Sequence, residues 1–448
     1  MKITILGGGG FRVPMLYDAL LACAPRLGVD ELALYDISSE RLNRISVVLQ
    51  GQAAASGGVL LPFTCTTRLE EALEGADFVF CAIRVGELEG RVIDERVPLN
   101  AGVVGQETTG PGGLCFALRT VPVMLELAEA VARHAPRAWF VNFTNPAGLV
   151  TEAIQGVLGG RVVGICDSPT ALCRRVARAL RRNPEDLWFD YFGLNHLGWL
   201  RAVRDGERDL LPDLLADDAR LESFEEGRLF GGEWLRSLGM IPNEYLYFYY
   251  YASDAVGAVR SSLQSRGEFL LEQQHAFYAA GGDGPAAALH AWHATRRERE
   301  ARYMEEARSA AGLDGRDEHE MDAGGYEGEA IAVVEAIARN QGRVLILNTA
   351  NASSLPFLDA GAVVEVPCIA GSTGIVPTAV GDVPGHARGL ITTIKDVERT
   401  TIEAAVSGSR ELAVQAIALH PLVPSVTVAR RIFDAYSAQH PQLRHSLR

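Results

Sequence analysis

Lys2-Ile3-Thr4-Ile5-Leu6-Gly7-Gly8-Gly9-Gly10 opens the chain, and Glu31-Leu32-Ala33-Leu34-Tyr35-Asp36 follows after a helical stretch over 13–23. The apolar run ending in glycines reads as a buried strand that enters a tight turn. The second run is a strand that stops at an acid. In the dinucleotide fingerprint G-x-G-x-x-G the pyrophosphate rests on a helix N-terminus, and an acid ending the second strand holds the ribose. Gly7 and Gly9 match, while Arg12 takes the third glycine's place. Asp36 comes slightly late, which a loop over 25–29 explains. The candidates for holding the nucleotide are Gly7, Gly9, Gly10, Phe11, Arg12 and Asp36. Asp36 favours NAD over NADP, because a carboxylate repels a 2′-phosphate; a flavin or another nucleotide fits the same pattern.

Outward from this start, strands at 78–83, 138–142 and 161–166 alternate with helices at 40–52, 116–134 and 150–157. That βαβ array predicts an α/β fold, a Rossmann-like doubly wound parallel sheet over residues 1–190. Beyond about residue 188 the pattern changes to charged helices (285–310), a polar glycine-rich loop (312–325), strands (Arg343–Ala350 and 362–367) and a helical end (395–438). Residues 191–448 are therefore expected to form an α+β domain for substrate, metal and oligomer contacts. The two-domain plan is like that of lactate and malate dehydrogenases.

The chain has 448 residues, 48% of them hydrophobic, and a formal net charge of −14. This acidity argues against nucleic acid or an anionic membrane as partner, though local arginines still suit an anionic small molecule. The start lacks a signal-peptide pattern, and no run of about 18 apolar residues appears. Seven cysteines without a CxxC pair fit a reducing cytoplasm. Cys23, Cys65, Cys81, Cys115, Cys173 and Cys368 are read as packing residues.

Five further segments carry chemistry. The loop Gly105-Gln106-Glu107-Thr108-Thr109-Gly110-Pro111-Gly112-Gly113 is too rich in glycine for a core element and offers backbone N–H groups, hydroxyls and one carboxylate to a polar ligand. In Gly164-Ile165-Cys166-Asp167-Ser168-Pro169 a strand ends at Cys166 and a helix starts with Ser168 as N-cap. The positive helix end favours a thiolate at Cys166, fit for a metal or a nucleophilic attack; a buried strand-end cysteine is the plain alternative. His196, in Gly193-Leu194-Asn195-His196-Leu197-Gly198-Trp199, would complete a metal pair with Cys166, although a lone histidine is more often structural. Tyr245 lies in Pro242-Asn243-Glu244-Tyr245-Leu246, within a tyrosine-dense stretch that suits core packing. A tyrosinate base there needs a cation, and Arg260 and Arg266 are near in sequence. Arg84 and Arg91, beside a strand end, suit a phosphate or carboxylate.

Taken in order, GGGGFRVP, LYDI, IRVG, RVIDERVPLNAGVVGQETTGPGG, NFTNPAG, GICDSP, GLNHLGW and PNEYLYFYY resemble glycoside hydrolase family 4 over nearly the whole chain. The family's usual GGGS has Gly10 for its serine here. The resemblance implies an NAD- and manganese-dependent glycosidase that works by redox-assisted elimination. Bound NAD would take hydride from C3 of the sugar, the C2 proton would be abstracted, the glycosidic oxygen would leave, and water would add before the hydride returns. It implies Cys166 and His196 as metal ligands, Tyr245 as the C2 base, and Asp167 as a general acid of the α-glycoside branch. Arg91, Asn145 and Arg266 match positions at the sugar or its 6-phosphate, with Arg84 and Asn195 beside them, and Glu107 would lie near metal and nicotinamide. The implied substrate is a 6-phospho-β-glucoside or 6-phospho-α-glucoside, with an unphosphorylated galactoside or a uronide as alternatives, and the implied assembly is a homodimer or homotetramer. A 2-hydroxy-acid dehydrogenase of lactate or malate type would instead need a His–Asp pair and no metal. A non-catalytic nucleotide sensor would not need Cys166, His196 and Tyr245.

Overall fold

Side-chain alternation along the first strands sorts the core into two layers. Ile3, Ile5, Phe78 and Phe80 pack on one face, and Leu6, Val79 and Cys81 on the other. The computed structural model describes all residues except 58–60, 263, 281–283, 314–324 and 447–448. The strands are β1 (Lys2–Leu6), β2 (Glu31–Tyr35), β3 (Phe63–Thr66), β4 (Phe78–Cys81), β5 (Trp139–Asn142), β6 (Val162–Gly164), β7 (Trp188–Leu194), β8 (Leu197–Asp205), β9 (Arg208–Asp209), β10 (Ile241–Pro242), β11 (Arg343–Ala350), β12 (Val363–Gly371) and β13 (Gly374–Pro377). Among the described residues, nine form one sheet in the order β13-β12-β11-β6-β5-β4-β1-β2-β3. β3 to β6 are mutually parallel in the doubly wound order, and the strand order reverses between β1 and β4. A crevice outside the carboxyl ends at that reversal is where such sheets bind ligands.

Strands from the second half complete this same sheet. β11 joins β6 antiparallel through the pair Asn348↔Gly164, and β12 and β13 follow antiparallel. A smaller antiparallel sheet, β10-β8-β7 with β9 on β8, packs through β7 on β12, where the Tyr191 hydroxyl donates to Glu365 at 3.1 Å. Its hairpin β7–β8 turns on Asn195 and His196, between the paired Leu194 and Leu197.

Several local expectations change. The first helix runs Val13–Leu27, through Pro25, and stops at Gly28 in the left-handed region at φ 70°; no loop over 25–29 separates it from β2. The span 285–310 is two helices, Pro285–Ala301 and Glu305–Ala310, broken where Met304 turns left-handed at φ 53°. Most of the loop expected over 312–325 lies outside the described residues. All seven cysteines are free thiols; Cys65 is exposed on the edge strand β3, where no layer covers it, rather than packed.

Candidate active site

At the sheet's reversal a cavity of about 880 Å³ opens. Gly7, Gly10, Phe11, Arg12 and Asp36 form one wall; Arg84, Arg91 and Glu107 a second; Cys166, Asp167, His196 and Tyr245 a third, with Asn145 and Arg266 between. Residues spread over 260 positions of sequence therefore face one space.

The glycine turn is built for a close approach. Gly7 has φ 88°, and a Cβ there would meet the Ala82 carbonyl oxygen at 2.7 Å. A Cβ on Gly9 would meet Arg41 Cβ at 2.7 Å. The helix Val13–Leu27 begins with no side-chain cap, and its first turn is closed by backbone: Val13 N donates to the Gly10 carbonyl and Met15 N to the Arg12 carbonyl, each at 3.0 Å, while Pro14 has no N–H. Asp36 accepts from Gly9 N at 2.9 Å and from Ser38 N at 3.0 Å, and its oxygens keep further lone pairs for ribose hydroxyls. Ile37, beside it, lines the mouth with 83% of its surface exposed, an apolar seat for a base.

The loop 105–113 departs from expectation. It is largely buried, and Pro111–Gly113 already form the first turn of the helix Pro111–His134. Its glycines admit backbone, not ligand: a Cβ on Gly105 would lie 2.0 Å from the Glu95 carbonyl oxygen, and one on Gly112 would lie 2.2 Å from that of Gln106. Glu107 does reach the cavity. It pairs with Arg84 at 2.7 Å and Arg91 at 2.8 Å. Burial pushes its carboxyl up, but these two guanidiniums outweigh burial and hold it at about 2. Arg84 and Arg91 are thus already matched to a carboxylate, and Arg91 also binds Glu95 at 2.7 Å.

His196 sits at the hairpin apex in the left-handed region, φ 61°, which turns its ring into the cavity. The ring stacks on Tyr245, centroids 3.7 Å apart and planes 5° apart. Burial holds the imidazole down at about 4, so it is neutral and able to donate a lone pair at neutral pH. Its Nδ1 lies 2.9 Å from Thr108 Oγ1, not beside an aspartate, so His196 does not form the pair a lactate-type dehydrogenase needs, and the His440–Asp94 pair, 3.1 Å apart, is not on the cavity wall.

Cys166 is buried just past β6. Burial, then the charges of Glu365 and Asp167, push its thiol well above the ordinary range. The helix end therefore does not produce a thiolate here, and a cation would have to supply the missing positive charge. Asp167, rather than Ser168, is the N-cap of the helix Ser168–Ala179. The Ser168 hydroxyl instead donates to Glu244 at 2.7 Å, tying the Cys166 turn to the segment that carries Tyr245.

Tyr245 is buried, and burial, then Tyr303, push its phenol well above 10. Its hydroxyl lies 3.1 Å from that of Tyr303. Arg260 does not help it: that guanidinium donates to the Leu99 carbonyl at 2.9 Å. Asn195 is also absent from the cavity wall. Its amide accepts from Ala147 N at 3.1 Å and donates to Glu365 at 3.2 Å, bracing the turn beside His196.

Sequence reasoning overlooked Arg299 and Tyr303, which both line the cavity. Burial, then the charges of Arg12, Arg266 and Arg91, push the Arg299 guanidinium well below its ordinary value, with Glu107 opposing. Arginine stays charged in proteins, so this crowding is an affinity for an anion. Arg299 lies in the run Arg296-Arg297-Glu298-Arg299-Glu300, which reads as a solvated helix face. Among the described residues, the tightest group of metal-ligand types is elsewhere: Asp94, Cys115 and His440, within 4.8 Å. The Arg119 guanidinium fills it, donating to Asp94 at 2.8 Å and to Cys115 Sγ at 3.1 Å, so no cation fits there.

A family model described as "Family 4 glycosyl hydrolase" matches residues 2–182, and one described as "Family 4 glycosyl hydrolase C-terminal domain" matches 191–423. The Bacillus subtilis protein named "Probable 6-phospho-beta-glucosidase" is 33% identical over 459 residues, spanning 99% of this chain and 98% of its own. The 6-phospho-alpha-glucosidase from gut microorganisms, solved in complex with NAD and Mn2+, gives a TM-score of 0.82 at 27% identity, covering 100% of this chain and 99% of that one. The 6-phospho-beta glucosidase from Thermotoga maritima, solved with manganese, NAD+ and glucose-6-phosphate, gives 0.82 at 26% identity, covering 100% of each. Lactate dehydrogenase from Eimeria maxima shares the fold alone, with a TM-score of 0.52 at 15% identity over 91% of this chain and 95% of that one. With matches running through both halves, the chain belongs to family 4 of the glycosyl hydrolases.

Proposed function

We propose that this protein is an NAD- and manganese-dependent glycosidase that hydrolyses O-glycosides of glucose 6-phosphate. One observation carries the reading: the nucleotide turn, Cys166 with His196, and Tyr245 with Asp167 all face a single cavity. Residues 1–190 would hold the nucleotide, and residues 191–448 would supply His196, Tyr245, Arg266 and Arg299, together with the contacts of a homodimer or homotetramer.

The residues present fit both groups. Gly7 and Gly10 line the cavity in a turn too tight for a Cβ, and Asp36 at the end of β2 would accept from ribose hydroxyls. His196 and Cys166 are borderline and soft donors, a set suited to a divalent transition metal. When bound, NAD exchanges a hydride with the sugar, and the metal acidifies the neighbouring carbon by drawing charge onto the sugar oxygens.

The chain's own residues do the rest. Tyr245, fixed against the His196 ring, would remove the proton at C2 once the positive charge of a bound metal lowers its phenol from the raised value that burial imposes. Asp167, half-buried at the helix start, gives a proton to the departing glycosidic oxygen. Arg266, Arg299 and Arg12 crowd their positive charges into the cavity, which supports a 6-phosphate over an unphosphorylated sugar. Asn145 lines the same wall, and Glu107 fixes Arg84 and Arg91 between nucleotide and sugar. Six of seven cysteines are buried free thiols, which supports a reducing compartment such as the cytoplasm. Among the described residues no helix is long and apolar enough to cross a membrane.

A panel of nitrophenyl α- and β-glycosides, with and without 6-phosphate, tests the proposal in the presence of NAD, Mn2+ and reductant. Turnover of a 6-phosphoglucoside that requires both additions is expected. The Cys166–Asp167 pair, which resembles the α-glycoside branch, favours the α anomer. Turnover without NAD or without metal would refute the proposal, and equal rates on unphosphorylated sugars would refute the phosphate reading.

A further inference from the structure

Gln106, Thr108 and His196 form a chain of hydrogen bonds whose proton positions the geometry decides. The Gln106 side-chain oxygen accepts from Thr108 N at 2.6 Å and from Thr109 N at 2.7 Å. Two backbone donors on one atom identify it as the oxygen, not the amide nitrogen. The same oxygen lies 3.0 Å from Thr108 Oγ1 and has no proton to give, so the hydroxyl donates to it. A hydroxyl has one proton. Once that proton points at Gln106, Thr108 Oγ1 can meet His196 Nδ1, 2.9 Å away, only as an acceptor. The imidazole is then protonated on Nδ1, and its lone pair is on Nε2.

The surrounding backbone makes this chain rigid. A Cβ on Gly113 would lie 2.5 Å from the Thr108 carbonyl oxygen, and one on Gly112 would lie 2.2 Å from that of Gln106. The helix Pro111–His134 therefore seats its first turn directly on the Gln106–Thr108 backbone. Asn195, bound to Ala147 N and Glu365, braces the hairpin apex from its other side. The ring plane is fixed by Tyr245, stacked at 3.7 Å.

We propose that Thr108, oriented by Gln106, is a positioning residue that sets the His196 tautomer and so presents Nε2 to the metal. A histidine ligand bound through one nitrogen is commonly oriented by a hydrogen bond at the other. Here the orienting group is a hydroxyl whose own proton is spent elsewhere. This inference rests on the metal reading above, but the tautomer itself does not depend on any bound group.

The test is made on full-length protein. With nitrogen-15-labelled histidine and no metal, long-range nitrogen–proton NMR at neutral pH reads the tautomer, and His196→Asn identifies the signal. Wild type is expected to show the Nδ1–H form, and Thr108→Val a mixture with the Nε2–H form. Calorimetry with Mn2+ alone should show Thr108→Val weakened about 10- to 100-fold and Thr108→Ser close to wild type. NAD affinity, unchanged in all three, shows that the fold is intact. An Nε2–H wild type, or a Thr108→Val protein matching wild type in both tautomer and Mn2+ affinity, would overturn the inference, as would Thr108→Ser failing like Thr108→Val. A wild type that shows the Thr108-dependent Nδ1–H form yet binds no Mn2+ would support the tautomer assignment and refute the metal reading.

Discussion

Two glycine-rich segments of this chain look alike as sequence and do different work. The turn 7–10 borders the cavity, and its glycines let it lie close on the strand ends, where a Cβ on Gly7 would meet the Ala82 carbonyl oxygen at 2.7 Å and one on Gly8 would meet Leu34 Cβ at 2.7 Å. The loop 105–113 faces inward, and its glycines leave room for the protein's own backbone. Glycine marks a close approach in both cases. What approaches is the protein's own chain in both, Ala82 and Leu34 in the first and the Glu95 and Gln106 carbonyls in the second; the difference is that the first puts Gly7 and Gly10 on the cavity wall.

The sharpest way to break this contrast is to add a methyl group to each segment. Gly105→Ala puts a Cβ 2.0 Å from the Glu95 carbonyl oxygen. Over-packing of that kind costs about 3 kcal/mol or more. A large drop in the denaturant midpoint is expected, and a midpoint within experimental error of wild type would show that the loop is not packed as described.

Next in size is Glu107, the one loop residue here that works on charge. Its carboxyl lies at about 2 in the folded protein against 4.5 for the free side chain. A lowered carboxylate pKa stabilises the fold fully above pH 4.5, and that contribution disappears as the pH falls to about 2. Glu107→Gln should therefore cost on the order of 2 kcal/mol at pH 7, with the difference from wild type shrinking steadily below pH 4.5. A difference that does not change with pH would mean the Arg84 and Arg91 pairing is energetically idle.

At the first segment the expected effect falls on binding as well as on stability. Gly7→Ala forces a side chain into φ 88° against the Ala82 carbonyl. It should weaken NAD by about 10-fold, equivalent to about 1.4 kcal/mol. Asp36→Ala should weaken NAD similarly while narrowing its advantage over NADP. Fluorescence titration measures both, and unchanged affinities would move the nucleotide elsewhere.

The same contrast explains what could be read in advance. The alternation from Lys2 to Gly164 was legible because parallel strands are buried on both faces and each βαβ unit is local. The addition of β11, β12 and β13 to that sheet was not, since antiparallel pairing across about 180 residues leaves no local mark. Cys166, His196 and Tyr245 stood out through their motifs, and the fold brings them to one cavity. Arg299 was hidden in a charged run whose outward neighbours mask the one residue turned inward. Asn195 carried the same motif signal as His196 but points the other way, because a two-residue turn sends adjacent side chains in different directions.

Elimination through loss of the C2 proton to Tyr245 would leave an isotope mark when a 6-phosphoglucoside is hydrolysed in deuterium oxide. One deuterium at C2 of the released glucose 6-phosphate is predicted, with incorporation and turnover lost together in Tyr245→Phe. Product that carries protium at C2 after complete turnover would contradict the account.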